Sequence, residues 1–480
     1  MNKIQVLGAA AVLLPMIHSC YHPVKETKDN RNILLILCDD MGAMELSCYG
    51  STINNTPHLD MLAEQGVRVE TFFVTPVCSP TRVNLMTGKY AYQTGWANMN
   101  GRAAGGPPRN ADLSRDEYTF GQMFQDAGYR TGFAGKWQLT GKLPDMITEC
   151  GFDEYLSWIY MSYLPEGEEY KGGFQENNPT KSSRFWHPGL ARNGTHIETK
   201  PTDYGPDMFA DFMIDFMKKS VNEDIPFFAY YPMVLMHTPW ERTPDHPDIT
   251  DINSPEAKKA NVAYTDKIVG RLMDALDDLG VRDNTLVIFI GDNGTQQIGK
   301  STVTEWGVRV PCIISCPGVV QSDVASMELI ELSDILPTML DFAGITVKNA
   351  DELDGFSALP LLTGETASHR DYIWSNYGQF RIIREKHWLL ERNSIDDFGD
   401  LYYCGDIRNG LGYQRITDFS NPESLQAQAK ERFARHIEKM PVIEIREDDR
   451  IDFADFVDRK KRGLVRSLKE IYDEDYGAGQ

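Results

Sequence analysis

Two short runs limit the possible folds more than anything else in the chain. They are "NILLILCDDMG" (32–42) and "NTLVIFIGDNG" (284–294). Each is apolar at every position rather than at alternate ones, so both faces of the strand must be buried. That is the pattern of a parallel strand with helices on either side. Each run then ends in a polar pair, Asp39-Asp40 or Asp292-Asn293. In open parallel sheets the carboxyl ends of the strands form the functional edge. Between these runs, "TPHLDMLAEQGVRV" has helical spacing with a glycine stop after Gln65, and "YRTGFAGKW" reads as a strand running into a loop at Lys136. "PFFAYYPMVLMHTPW" (226–240) reads as a strand ending near His237, and "ANVAYTDKIVGRLMDALDDLGV" as a helix of several turns. Strands alternating with helices predict an α/β fold: a large domain, 30–370, with a mostly parallel central sheet flanked by helices. Residues 151–207 read as loop-rich and aromatic. From 371 the pattern changes. "DYIWSNYGQFRIIREKHWLLER" alternates like antiparallel strands and "NPESLQAQAKERFARHIEKM" reads as a capped helix. This predicts a smaller C-terminal α+β subdomain, 371–480, with an antiparallel sheet.

A chain of 480 residues buries a sizeable core. Its 48 basic and 70 acidic residues give a formal charge of −22, which argues against a nucleic-acid partner. An anionic substrate would need a local basic pocket. The first twenty residues, "MNKIQVLGAAAVLLPMIHSC", carry an early lysine and an apolar run too short to span a bilayer, and read as an export signal. Ending on "IHSC", they resemble a bacterial lipoprotein signal in which Cys20 is lipidated; the alternative is an ordinary cleaved signal. Either predicts an exported protein, periplasmic or anchored to the outer membrane of a bacterium, touching the membrane only through that lipid. The 8 cysteines form no CxxC pair and no regular framework, which argues against a zinc ribbon or a disulfide scaffold but leaves one or two disulfides open.

The strand-end pairs Asp39-Asp40 and Asp292-Asn293 offer oxygen ligands without clustered histidines or thiolates. Such a set favours a hard cation, calcium or magnesium, and bulky carboxylates in an irregular site lean toward calcium. "VCSPTRVNLMTG" (77–88) reads as a helix start, with Ser79 as cap and Pro80 in first position. The helix terminus and Arg82 would favour negative charge beside Cys78, so Cys78 is either an activated thiolate or a plain buried cysteine.

"CSPTRVNLMTG" resembles the signature of the type I sulfatases, of the alkaline phosphatase superfamily, in which C-x-P-x-R marks a cysteine oxidised to formylglycine. "NILLILCDDMG", "NTPHLDMLAEQGVRVETFF", "GKW", "MHTPW", "NTLVIFIGDNG" and "GKSTVTEWGVRVP" follow in the family's order, over roughly 31–320. The resemblance implies a sulfuric ester hydrolase with an alkaline phosphatase-like fold and one calcium ion. Asp39, Asp40, Asp292 and Asn293 match its calcium ligands, with modified Cys78 completing the set. Arg82 matches the residue that orients the formylglycine hydrate, Lys136 and Lys300 the lysines that bind sulfate, and His237 the histidine near the scissile oxygen. A formylglycine-generating enzyme is implied as a maturation partner. The substrate would be a sulfated small molecule or glycan, and Trp137, Trp158, Trp186 and Trp240 offer rings to stack on sugars.

Two positions depart from the family's pattern. Gln138 stands where the family has histidine; it can hydrogen-bond to sulfate or hydrate but does not carry a proton near neutral pH. Trp306 stands where a glycine is usual, either shaping the pocket or packing beside the next strand. The same site chemistry also serves phosphonate and phosphodiester hydrolases. A non-catalytic lipoprotein that binds sulfated glycans is the third reading, motivated by Gln138.

Overall fold

The computed structural model describes residues 31–96, 113, 117–139, 141–145, 147–160, 163–175, 178–296, 298–392, 397–407 and 412–443. The export segment and Cys20 lie outside them. The strands are, in chain order, β1 (Asn32–Cys38), β2 (Val67–Phe73), β3 (Arg130–Lys136), β4 (Glu154–Trp158), β5 (Phe174–Gln175), β6 (Asn178–Ser182), β7 (Leu190–Arg192), β8 (Thr195–Ile197), β9 (Phe227–Pro232), β10 (Thr285–Gly291), β11 (Cys312–Ser315) and β12 (Val324–Glu331). Ten of them form one sheet in the order β12-β2-β11-β10-β1-β9-β3-β4-β7-β8, and β5 and β6 make a separate ribbon. The central strands β10, β1, β9, β3 and β4 are mutually parallel; β11 and β7 run the other way.

The unbroken apolar runs are explained by what covers each face. Ile33, Leu35 and Leu37 of β1 pack with Val83, Met86, Phe120, Phe124, Leu336 and Met339. These come from helices Cys78–Thr87, Phe120–Asp126 and Ile335–Phe342. Leu34, Ile36 and Cys38 point the other way, onto Leu59, Leu62, Phe209, Met213, Ile268 and Leu272 of helices Pro57–Glu64, Gly205–Asn222 and Pro255–Asp278. Each such side chain taken fully out of water contributes about 1.5–3 kcal/mol, so a polar residue on either face would be costly. Among the described residues no helix is long and apolar enough to cross a membrane.

The C-terminal part forms a second sheet of five antiparallel strands, β13 (Ile373–Tyr377), β14 (Phe380–Arg384), β15 (Trp388–Arg392), β16 (Asp400–Tyr403) and β17 (Gln414–Ile416). Alternation again decides the faces. Ile382 and Leu389 pack on Phe73, Val77 and Val308, next to the large sheet. Ile383 and Leu390 pack on Ala429 and Phe433 of helix Leu425–Lys439. Ser424 caps that helix, its hydroxyl accepting from the Ala427 N–H at 3.2 Å.

Two local expectations are corrected and a third is refined. The strand read over 226–240 stops at Pro232, and His237 lies five residues farther on, in the loop that follows. Residues 151–207 are loop-rich as expected, but short strands lie among the loops: β4, β7 and β8 extend the large sheet, and β5 and β6 form the ribbon. Short strands with polar residues on one side gave too little alternation to read. Finally, Val77 rather than Ser79 occupies the cap of helix Cys78–Thr87, so Ser79 and Pro80 lie inside its first turn. Pro80 is tolerated there because first-turn N–H groups have no intrahelical acceptor.

Candidate active site

The register of the parallel strands builds the site. β1 and β10 run side by side from Asn32↔Thr285 to Cys38↔Gly291, so Asp39 and Asp292 leave the sheet as neighbours. Main-chain bonds hold both turns: Asp292 N–H donates to Cys38 O and Asp39 N–H to Leu235 O, each at 2.9 Å. The Asp40 N–H donates to Asp292 Oδ1, also at 2.9 Å. Lys136 ends β3 on the far side of β9. Gly135 lets it approach: its φ is +121°, and a Cβ there would lie 2.0 Å from Pro232 O. Only glycine accepts both conditions.

Helix Cys78–Thr87 starts at the same edge and is buried along its whole length. Gly88 ends it in the left-handed conformation, with φ +68° and its N–H donating to Asn84 O at 2.7 Å. That explains the Thr-Gly pair as a helix stop. Thr81 Oγ1 donates to Asp292 O at 2.7 Å, and Arg82 reaches across to donate from Nη2 to Asp292 Oδ2 at 2.7 Å and from Nη1 to Lys136 O at 2.9 Å. Cys78 Sγ faces Gln138 Oε1 at 3.4 Å.

Asp39, Asp40, Cys78, Arg82, Lys136, Gln138, His237, Asp292, Asn293 and Lys300 are thus brought together at one edge of the sheet. Lys136 Nζ donates to Asp39 Oδ2 at 2.6 Å, and Lys300 Nζ is paired with Asp40 Oδ1. His237 Nδ1 faces Thr238 O at 2.6 Å, so its Nε2 turns toward Asp40 Oδ2, 3.6 Å away. His237, expected at the site from the resemblance, thus stands beside the carboxylates.

The electrostatics follow from burial. Burial raises the Asp39 carboxyl, but Lys136, His237, Arg82 and Lys300 more than reverse this and hold it well below the usual range. Asp40 is also held down, His237 and Lys300 outweighing burial. Asp292 goes the other way: burial and the charge of Asp39 push it up to about 7, against Arg82 and Lys136. Burial pushes the His237 ring down to about 3, although Asp40 and Asp39 oppose it, so the ring is neutral at pH 7.

Three buried oxygens here have no hydrogen-bond partner: Asp39 Oδ1, Asp40 Oδ2 and Asn293 Oδ1. Leaving a buried polar atom unsatisfied costs about 1–3 kcal/mol, more for a charged one. Asp39, Cys78 and Asp292 offer ligand atoms all within 4.8 Å of one another, as do Asp39, Asp40 and His237. An oxygen-rich donor set with orphaned lone pairs fits a hard divalent cation.

A further layer was not read from the sequence. Glu45 is buried, and its Oε1 accepts from Thr295 Oγ1 at 2.8 Å and pairs with Lys258 Nζ at 2.7 Å. Thr295 Oγ1 also accepts from the Gly42 N–H at 3.1 Å. This network ties the loop after Asp39-Asp40 to the loop after Asp292-Asn293. The one signal in the sequence was a charged residue between apolar neighbours. Near the second departure it is the Trp306 carbonyl that touches the site loop: a Cβ on Gly294 or Gly299 would meet it at 1.9 Å. Trp137, Trp158 and Trp240 are buried core residues, which removes them as sugar-stacking rings; Trp186 is partly exposed. All seven cysteines among the described residues are free.

The sulfatase family profile matches residues 31–345. Human arylsulfatase A is 30% identical over 383 residues, 72% of this chain and 70% of that protein. The N-acetylgalactosamine-6-sulfatase of Canis lupus familiaris is 28% identical over 400 residues, 76% of this chain and 73% of its own. Among solved structures, Ps i-CgsB in complex with k-i-k-neocarrahexaose superposes with a TM-score of 0.70 at 24% identity, covering 90% of this chain and 99% of that one. The fold is shared with that protein, and on the profile and the arylsulfatase match the chain belongs to the sulfatase family, the sulfuric ester hydrolases.

Proposed function

We propose that this sulfatase cleaves a sulfate ester on a glycan, using a formylglycine hydrate made from Cys78 and one calcium ion held by Asp39, Asp40, Asp292 and Asn293. The observation that carries the reading is the grouping of Asp39, Cys78 and Asp292 ligand atoms within 4.8 Å of one another, beside three buried oxygens left unsatisfied on the same two strand-end pairs. When bound, the ion supplies Lewis acidity at the nucleophile. Arg82, locked to Asp292 and to the Lys136 carbonyl, orients the hydrate. Lys136 and Lys300 present ammonium groups to the sulfate oxygens and stabilise the charge that grows on them. Converted Cys78 would supply the attacking hydroxyl, which would lose its proton as its oxygen bonds to sulfur while the S–O bond to the alcohol breaks and the leaving alcohol takes up a proton. Its second hydroxyl would then be available to give up a proton and re-form the aldehyde with release of sulfate, and water would restore the hydrate. A serine in this position would lack that second hydroxyl and would be trapped as its ester.

A glycan substrate is supported by two of the relatives, an N-acetylgalactosamine-6-sulfatase and a protein solved in complex with k-i-k-neocarrahexaose. Export with lipid anchoring at Cys20, and maturation by a formylglycine-generating enzyme, belong to the same proposal. The mature enzyme is expected to turn over p-nitrophenyl sulfate with a kcat/KM well above that for p-nitrophenyl phosphate and its diester. A preference for either phosphate ester would replace this reading with the phosphohydrolase one, and binding of sulfated glycans without turnover by fully converted enzyme would replace it with the binding-protein one.

Gln138 gives a second prediction. It sits at φ +50°, in the left-handed region, which histidine tolerates better than most side chains. Gln138→His introduces a group titrating between about pH 5 and 8, and a new inflection in the pH–rate profile is expected. An unaltered profile means that position 138 takes no part in proton transfer.

A further inference from the structure

Two cations stand beside the sulfate centre with no carboxylate partner among the described residues. The cations inside the centre are matched: Arg82 with Asp292, Lys136 with Asp39 and Lys300 with Asp40. Arg184 and Lys181 are not. Arg184 is 4% exposed and fixed by neutral groups only. Its Nη2 donates to Thr238 O at 2.9 Å, and its guanidinium lies 4.7 Å from the Trp158 ring centroid. The Gln175 amide oxygen, in the orientation that satisfies both groups, accepts from Nε at 3.1 Å and Nη2 at 2.6 Å. Two of these contacts locate Arg184 in the site. Thr238 O also faces the His237 ring, and Trp158 is the register neighbour of Lys136.

Lys181 stands on β6, which is tied down where it meets β4: Trp158 Nε1 donates to Ser182 O at 3.3 Å. Its side chain is exposed. Burial of its stem lowers the Lys181 ammonium from its ordinary value, and repulsion from Arg184, Lys136 and Lys300 lowers it further; Cys78 acts in the opposite sense. A surface lysine on a protein of net charge −22 ordinarily has carboxylates for neighbours. The cations that act on this one are Arg184, Lys136 and Lys300, of which Arg184 has no carboxylate partner among the described residues, so an anion placed between Lys181 and Arg184 is favoured.

We propose that Lys181 and Arg184 form a second anion-binding position next to the sulfate centre, taking a further carboxylate or sulfate group carried by the sugar bearing the scissile ester or by its neighbour. The proposal rests on the sulfatase reading and narrows its substrate class to polyanionic glycans. Arg184 sets a fixed field, and Lys181, longer and exposed, makes the adaptable contact.

The test compares kcat/KM for mature wild type, Lys181→Ala and Lys181→Arg on three substrates: a neutral monosulfated disaccharide, its uronate-containing counterpart and its disulfated counterpart. Wild type is expected to prefer at least one doubly charged substrate, and the preference should shrink as salt rises. Lys181→Ala is expected to lose about tenfold or more on that substrate beyond any loss on the neutral one, with Lys181→Arg retaining most of the preference. The favoured arm tells whether the second group is a carboxylate or a sulfate. Equal losses on all three substrates, or a wild type without preference, overturns the second position while leaving the sulfatase reading intact. A wild type that turns over none of them, nor p-nitrophenyl sulfate, refutes the sulfatase reading and the second position falls with it.

Discussion

Replacing Cys78 by alanine is expected to reduce turnover of a sulfate ester by a factor on the order of 10⁴ or more, the scale seen when a covalent nucleophile is removed. Other members of the site remain in Cys78→Ala, but binding a sulfate without an attacking oxygen leaves the S–O bond uncleaved. The loss is expected in kcat, with substrate affinity largely kept, because Lys136 and Lys300 do not depend on the thiol for their position. Folding is a separate question, since Cys78 is buried at the start of a buried helix. Alanine is smaller and a good helix former, so unfolding temperature and circular dichroism should stay close to those of the parent. Mass spectrometry closes the argument. The peptide holding residue 78 in active parent enzyme should weigh ~18 Da less than its thiol form, as oxidation of the thiol to an aldehyde requires. Active enzyme with an untouched thiol would mean that another group attacks sulfur.

Much of this site was legible in the sequence because parallel strands carry their own coordinates. An unbroken apolar run says that both faces are covered, and the first polar residues after it mark the sheet's carboxyl edge. Asp39, Asp40, Asp292 and Asn293 could be placed on that edge by this reasoning alone, though not side by side; their adjacency needs the β1–β10 register. Lys136 was readable as a strand end, but its reach past β9 depends on Gly135 and a close approach to Pro232. His237 was misplaced onto a strand because "YYPMVLMHTPW" stays apolar after the hydrogen-bonded strand has ended at Pro232. Its buried neighbours need apolar side chains whether or not they belong to the sheet. The Glu45–Thr295–Lys258 network and Arg184 left no pattern to read, since each depends on contacts between segments far apart in the chain.

Removing divalent ions is expected to abolish activity and to lower the unfolding temperature together, and calcium should restore both. Asp39, Asp40 and Asp292 are fully buried, and Lys136, Lys300 and Arg82 each pair with one of them. Pairing leaves Asp39 Oδ1, Asp40 Oδ2 and Asn293 Oδ1 unsatisfied, so the protein's own groups do not complete this shell. A cation bound only by the folded chain stabilises it by about 2.7 kcal/mol at a hundredfold excess over its Kd. A thermal-shift titration of chelator-treated protein with calcium should therefore raise the unfolding temperature by several degrees, whether or not Cys78 has been converted. Asp40→Asn should weaken that response by removing one charge and the orphaned carboxylate oxygen together. Magnesium is expected to restore less than calcium, because it demands near-ideal octahedral geometry at about 2.0–2.1 Å and keeps its waters. Bulky carboxylates on two separate loops suit the longer and more permissive calcium shell. Full activity and an unchanged unfolding temperature in protein shown by elemental analysis to be metal-free would contradict the ligand set, and would leave the unsatisfied oxygens at the edge of the sheet without a physical reason.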